Sequence, residues 1–206
     1  SPGGLVTLVM MPVTGRLIGL VQAKYLIAAG AAIAGLSMWH LTGLTDNITY
    51  NYAAMSRIYL ALGLPLLFLP ITTASYEGVP PEKTNQASAL INVARNLGGS
   101  IGVAMVQTIL AQRQQFHQSR LIEHIAPSDV GYQQTLAAVT HFFEAQGSNA
   151  TDAAAQALAY IAQMLQQQVN LLAYIDVFWW LSLIGAVMAP LALTLRSIDM
   201  NAPARH

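Results

Sequence analysis

Residues 25–45, 58–76, 96–112 and 177–195 contain no lysine, arginine, aspartate or glutamate. Such runs limit the possible folds more than any motif does. A helix needs about 20 mainly apolar residues to cross the hydrocarbon core of a bilayer, and each run is near that length. A soluble helical bundle would need charged outer faces on its helices, and these segments offer none. Charged residues make up 9% of the chain and hydrophobic residues 54%, against about 25% charged in a soluble domain. The sequence therefore predicts an all-α, polytopic helical membrane protein. A net charge of zero gives no footing for a nucleic-acid partner. The absence of cysteine excludes disulfides and thiolate chemistry.

Five apolar segments follow from the pattern: A over residues 3–21, B over Tyr25–Leu44, C over Met55–Ser75, D over Asn85–Gln112 and E over Leu172–Leu195. Gly30 and Ala34 in segment B have the small-xxx-small spacing of close helix packing. Pro65 and Pro70 are the expected kink points of C. Residues 113–170 differ in character, being rich in Gln, Ala and His. Turn signals at Pro127–Asp129 and Gly147–Asp152 divide this region. Asp152 is the expected cap of a helix whose apolar stripe is Leu158, Ile161, Ala162, Leu165 and Val169. The expected organisation is four transmembrane helices in residues 1–112, an extracytoplasmic amphipathic helical region in 113–170, a last transmembrane helix in 171–195 and a cytoplasmic tail in 196–206. The absence of an initiator Met, with the first helix already under way, reads as the C-terminal piece of a longer chain.

Orientation comes from Lys and Arg in short loops. Arg16 and Lys24, Lys83, and Arg196 with Arg205 fall on one side, which is then cytoplasmic. The 113–170 region faces out. Tyr50, Tyr52 and Tyr59, with Phe178, Trp179 and Trp180, fit an aromatic belt at the outer interface better than a ligand cage.

Arg95 is the most costly residue in this pattern. It lies in "INVARNLGGSIG", roughly 12 Å from the cytoplasmic start of segment D at about 1.5 Å per residue. An arginine at mid-bilayer costs about 3 kcal/mol or more, so it should face the protein interior or a water-filled cavity. On a helical wheel Ser88, Asn92, Arg95, Asn96 and Gly99 share one polar-and-small face. Arg95, Asn92 and Asn96 are thus candidates for a solute pathway, or for a structural arginine bonded to the backbone of a neighbouring helix. Gly98 and Gly102 form a GxxxG pair suited to helix packing. Asp176 lies at the outer end of segment E, either as an interfacial carboxylate or as a proton or cation site. His40, His117, His124 and His141 have no metal-ligand spacing, and solvated or interfacial histidines are the expected reading. No phosphate loop, nucleophile elbow or zinc motif argues for an enzyme.

At "SPGG…MPVTGRLI", "GVPPEKTNQASALINVARNLGGSIG" and "AYIDVFWW…MAPLAL" the sequence resembles the C-terminal part of a drug:proton antiporter of the major facilitator superfamily, most closely the fourteen-helix EmrB/QacA type. In "GRLIGLVQAK", Gly15, Leu17 and Lys24 match that family's cytoplasmic loop motif. Gly19 stands where the motif has an acid, and Gln22 and Ala23 replace its Gly and Arg. The resemblance implies multidrug efflux by proton antiport across the bacterial inner membrane, acting on hydrophobic or cationic drugs without a cofactor. It further implies a periplasmic adaptor and an outer-membrane channel as partners for the outward region. The competing reading is a non-transporting membrane subunit whose outer helices dock a partner.

Overall fold

The computed structural model describes residues 2–45, 50–123 and 129–195. Six α-helices follow in order: α1 (Pro2–Ile18), α2 (Ala23–Leu41), α3 (Tyr50–Ser75), α4 (Thr84–Glu123), α5 (Val130–Ala145) and α6 (Ala150–Leu193). A 3-10 turn, Pro81–Lys83, leads into α4. Among the described residues there is no strand. Tyr50–Ser75, Pro81–Glu123 and Ala150–Leu193 are long and apolar enough to cross a membrane, and Gly3–Ile18 is a shorter apolar helix. The chain is an all-α membrane helical bundle. The expected tail at 196–206 and the turn residues Pro127 and Ser128 lie outside the described residues.

Two compact units form, one from Ser1–Val106 with Val177–His206 and the other from Gln107–Asp176. In the first, α3 packs against both α1 and α2. Small residues make the closest approaches. A Cβ on Gly30 of α2 would lie 2.9 Å from the carbonyl oxygen of Gly63 on α3, and one on Gly63 would lie 3.0 Å from the oxygen of Gly30. Gly30 is thus a packing residue, as its spacing predicts. The buried Ser37 hydroxyl donates to the Ser56 carbonyl across the same pair of helices, at 3.0 Å. Gly35 of α2 and Gly185 of α6 meet backbone to backbone, and a Cβ on Gly185 would lie 2.7 Å from the Gly35 Cα.

The interior is built from Ala23, Ala28, Ala31, Ala61, Ser37 and Ser56, while Leu5, Leu36, Phe68, Leu97 and Val187 point outward. Lipid tails are as apolar as leucine, so association inside a bilayer rests on close packing of small residues, not on hiding large ones. Thr14 is fully buried on α1, yet among the described residues its hydroxyl has no hydrogen-bond partner. Thr14→Val keeps the shape and removes the unsatisfied group. Its thermal midpoint in detergent should stay level or rise, by up to about 1 kcal/mol of stability.

The second unit owes its turn to local chemistry. Asp129 caps α5 by accepting from the Gly131 and Tyr132 amides. At the far end of α5, Ser148 N–H donates to the Phe143 carbonyl and Gly147 N–H to that of Glu144. Gly147 has φ +98°, the left-handed residue that such a helix end requires. The next helix starts at once. Asn149, not Asp152, is its cap: Asn149 Oδ1 accepts from the Asp152 amide at 2.8 Å. Asp152 instead accepts from the Asn149 side-chain amide at 2.8 Å, which holds the capping side chain in place.

Two expectations are corrected here. Segment D does not end at Gln112, nor does a helix begin at Leu172: α4 runs on to Glu123, and α6 is unbroken from Ala150. No glycine or proline lies in 103–123 or 150–172 to interrupt either helix, so only the composition changes. The buried stripe of the α6 start is Ala153 and Ala157, continuing to Val169 and Ala173, all at 0% exposure, whereas Leu158 is 50% exposed. Two alanines outside the predicted stripe, Ala153 and Ala157, thus face the packed side.

Candidate functional site

Two polar clusters stand out, one in each unit. The first joins α3 and α4. Arg95 Nη2 donates to Thr72 Oγ1 at 3.2 Å, and Tyr76 OH lies 2.8 Å from Ser88 Oγ. Thr72 in turn donates to the Phe68 carbonyl. Hydroxyls on α3 and in the turn that follows it therefore meet the polar face of α4 at two levels, two turns apart on α4. Ser88 and Arg95 of the predicted face are engaged. Asn92, Asn96, Gly98 and Gly99 are exposed, and nothing lies within 4 Å of a Cβ placed on Gly98, Gly99 or Gly102. Arg95 is held by a hydroxyl, not by the backbone carbonyl foreseen for a structural arginine.

The second cluster centres on Asp176. His117 Nε2 lies 2.8 Å from Asp176 Oδ2, and Arg113 Nε lies 3.6 Å from the same oxygen. Both bases sit on α4, one turn apart, so they share a face. A neutral clip adjoins them: Gln114 Nε2 donates to Asn170 Oδ1 at 2.9 Å, and Gln166 Nε2 donates to that oxygen at 3.2 Å. The Phe116 ring lies between Arg113 and Arg120, 5.9 and 5.5 Å from their guanidinium carbons. From sequence His117 is one of the solvated or interfacial histidines with no assigned role; here its ring is paired with Asp176. The available signal was the i, i+4 pair Arg113–His117 ahead of a lone acid in the next long helix. Its register was hidden, because α5 intervenes.

The loop-motif residues form a tight turn. Gly15 lies in the last turn of α1 and Leu17 follows it. Amides of Leu20 and Val21 donate to the Leu17 carbonyl. Lys24 opens α2 with its ammonium 5.1 Å from the Tyr25 ring centroid. Arg16 sits in the last turn of α1, where a cation complements the helix dipole. Near the other end of α2, His40 stacks edge-on to Tyr52 at 4.3 Å and lies 5.6 Å from Tyr59. The Tyr52 hydroxyl donates to the His40 carbonyl. This apolar-faced, hydrogen-bonded group joins α2 to α3.

Comparison with known proteins decides the kinship. The chain is 27% identical over 180 residues to the multidrug export protein EmrB of Haemophilus influenzae, covering 87% of this chain and 34% of that protein. It is 24% identical over 198 residues to the MFS-type transporter YhcA of Bacillus subtilis, covering 96% and 37%. It is related to the EmrB-type exporters of the major facilitator superfamily. A third such relative, the cephamycin export protein CmcT of Amycolatopsis lactamdurans, is 33% identical over 132 residues, which is 63% of this chain and 27% of that one. The chain thus spans about a third of the length of the curated relatives it matches first. No family model and no solved structure matches. Kinship and apolar helices together make it a multi-pass protein of the bacterial inner membrane.

Proposed function

We propose that this chain forms the C-terminal part of a multidrug exporter that moves hydrophobic or cationic drugs across the inner membrane in exchange for protons, by alternating access. The observation that carries the reading is the likeness to export proteins along nearly the whole chain, joined to a charged residue, Arg95, within an apolar helix. Intramembrane charges mark solute and ion pathways because lipid does not tolerate them. In this reading Arg95, Asn92 and Asn96 line the drug pathway and Asp176 takes part in coupling. Gly98 and Gly102 form a packing surface for a neighbouring helix. The loop of Gly15, Leu17 and Lys24 lies on the cytoplasmic side, and the 113–170 region projects outward to dock an adaptor protein that leads to an outer-membrane channel. The chain carries out transport and no bond-making chemistry.

The test is efflux of a lipophilic cationic dye from cells that make the full-length protein in place of their own exporters. Dye efflux above that of cells with an empty vector, stopped by a protonophore, is the expected result. Efflux that survives the protonophore refutes proton coupling. Efflux no faster than in control cells refutes export itself.

A further inference from the structure

We propose that His117 and Asp176 are a proton-binding pair at the base of the second unit, with Arg113 as its fixed countercharge. The inference deepens the antiport reading above and rests on it for its purpose, though not for its geometry.

Both bases of α4 converge on one carboxylate oxygen, Asp176 Oδ2, at 2.8 Å from His117 and 3.6 Å from Arg113. The side chains are 18%, 38% and 32% exposed for His117, Arg113 and Asp176. Water therefore reaches a pair that is still held in place. Asp176 is the lone charged residue of α6 after Asp152, and the next along the chain is Arg196. Among the described residues of α4, the charged groups on either side of His117 are Arg113 and, beyond it, Arg120, which shares the Phe116 ring, and Glu123. On α6 the nearest in sequence is Tyr174. On α5, His141 and Glu144 pair with each other at 3.1 Å.

The chemistry is a simple proton uptake. With hydrogen on Nε2 the neutral ring donates to Asp176, and this leaves Nδ1 to take a proton from water. A new N–H bond forms, hydronium becomes water, and the cluster goes from net zero to net plus one. Release is the reverse. Histidine is the side chain whose charge changes in the range of about pH 5 to 8, where an exchanger working against an acidic outer phase must bind and release. The Gln114–Asn170–Gln166 clip beside the pair is made of amides, which do not titrate. The proton-sensitive and proton-blind parts of the α4–α6 contact are therefore separate.

That separation permits a direct test in the full-length protein. With any cysteine outside these 206 residues replaced by serine, Gln114→Cys with Asn170→Cys takes two spin labels in this region, which has no cysteine of its own, and removes the clip, leaving the pair to govern the spacing. Between about pH 8 and about pH 5 the fraction of short label distances should change several-fold. His117→Gln and Asp176→Asn should each make the distances independent of pH, whereas Arg113→Lys should keep the response. His117→Gln retains a donor of similar reach and decides the matter if Asp176→Asn does not accumulate. Distances that ignore pH with both His117 and Asp176 present overturn the proposal, as does a pH response that persists in His117→Gln. The reading of transport is separable. Export with pH-blind distances sinks the pair alone. PH-sensitive distances in a protein that exports nothing sink the antiporter alone.

Discussion

Gly185→Leu is expected to leave almost no folded protein in the membrane. A Cβ at this position would lie 2.7 Å from the Gly35 Cα, 3.1 Å from the Gly35 nitrogen and 3.2 Å from the Ala31 carbonyl oxygen. All three are backbone atoms on α2, so no side chain can rotate out of the way. Forcing extra carbons into a well-packed contact costs about 1–3 kcal/mol and occasionally more, a large share of the roughly 5–15 kcal/mol that holds a typical protein together. Leucine adds three further carbons beyond the Cβ that already collides. Gly185→Ala should show a milder form of the same defect, because the helices must still move apart. Gly4→Ala is the control, since a Cβ there has nothing within 4 Å. The measurement is the yield of monodisperse protein after extraction in mild detergent. A normal yield from Gly185→Leu would contradict the α2–α6 crossing. Gly98→Ala and Gly102→Ala meet open space among the described residues, so only the neighbouring helix proposed above can make them costly. Poor extraction of either would locate a packing partner of α4 outside the described residues.

Arg95→Ala is expected to cut drug export by about tenfold or more, a change of about 1.4 kcal/mol in barrier, with normal accumulation of the protein. The argument compares two magnitudes. Among the described residues the arginine has one hydrogen bond, to the Thr72 hydroxyl, and side-chain hydrogen bonds between membrane helices average only about 0.6 kcal/mol. Placing an arginine at mid-helix costs about 2.5–3.5 kcal/mol by insertion measurements. The bond does not offset the cost, so stability alone does not explain the residue. Thr72→Val removes the bond and leaves the charge, and export should fall less than in Arg95→Ala. Export at the unmutated rate from well-folded Arg95→Ala would assign the arginine to structure only.

The charge-free runs at 58–76, 96–112 and 177–195 made three helices long and apolar enough to cross a membrane legible, because a bilayer imposes length and apolarity on each segment independently of its neighbours. Gly30 was legible for a similar reason: small-residue spacing along one helix is a local property, and Gly63 completes the contact. Gly35 with Gly185 was not, since the two belong to helices far apart in sequence and nothing local sets their crossing. The helix ends were the least legible. Composition changes at Arg113, yet the backbone carries on to Glu123, because helix propagation responds to glycine, proline and capping and not to polarity. The cap fell on Asn149 and not Asp152 because Gly147 ends α5 so abruptly that the next helix begins three residues later. The polar face of α4 could be drawn from one helix alone, but the partners of Ser88 and Arg95, Tyr76 and Thr72, depend on how α3 returns through the Pro80–Pro81 connector. His117 is the clearest omission. Its meaning comes from Asp176, 59 positions away, and only the α4–α5–α6 arrangement supplies the register.

The central claim is that drug and proton movements are coupled in the protein this chain belongs to. Purified full-length protein in liposomes with a pH-sensitive dye trapped inside tests it most directly. With the lumen more acidic than the bath, a cationic drug added outside should be taken up by exporters inserted with their outer face inward. The lumen should lose protons as it gains drug, saturably and with a fixed ratio. A pH trace matching that of empty liposomes, from protein that remains monodisperse, would contradict proton-coupled drug export.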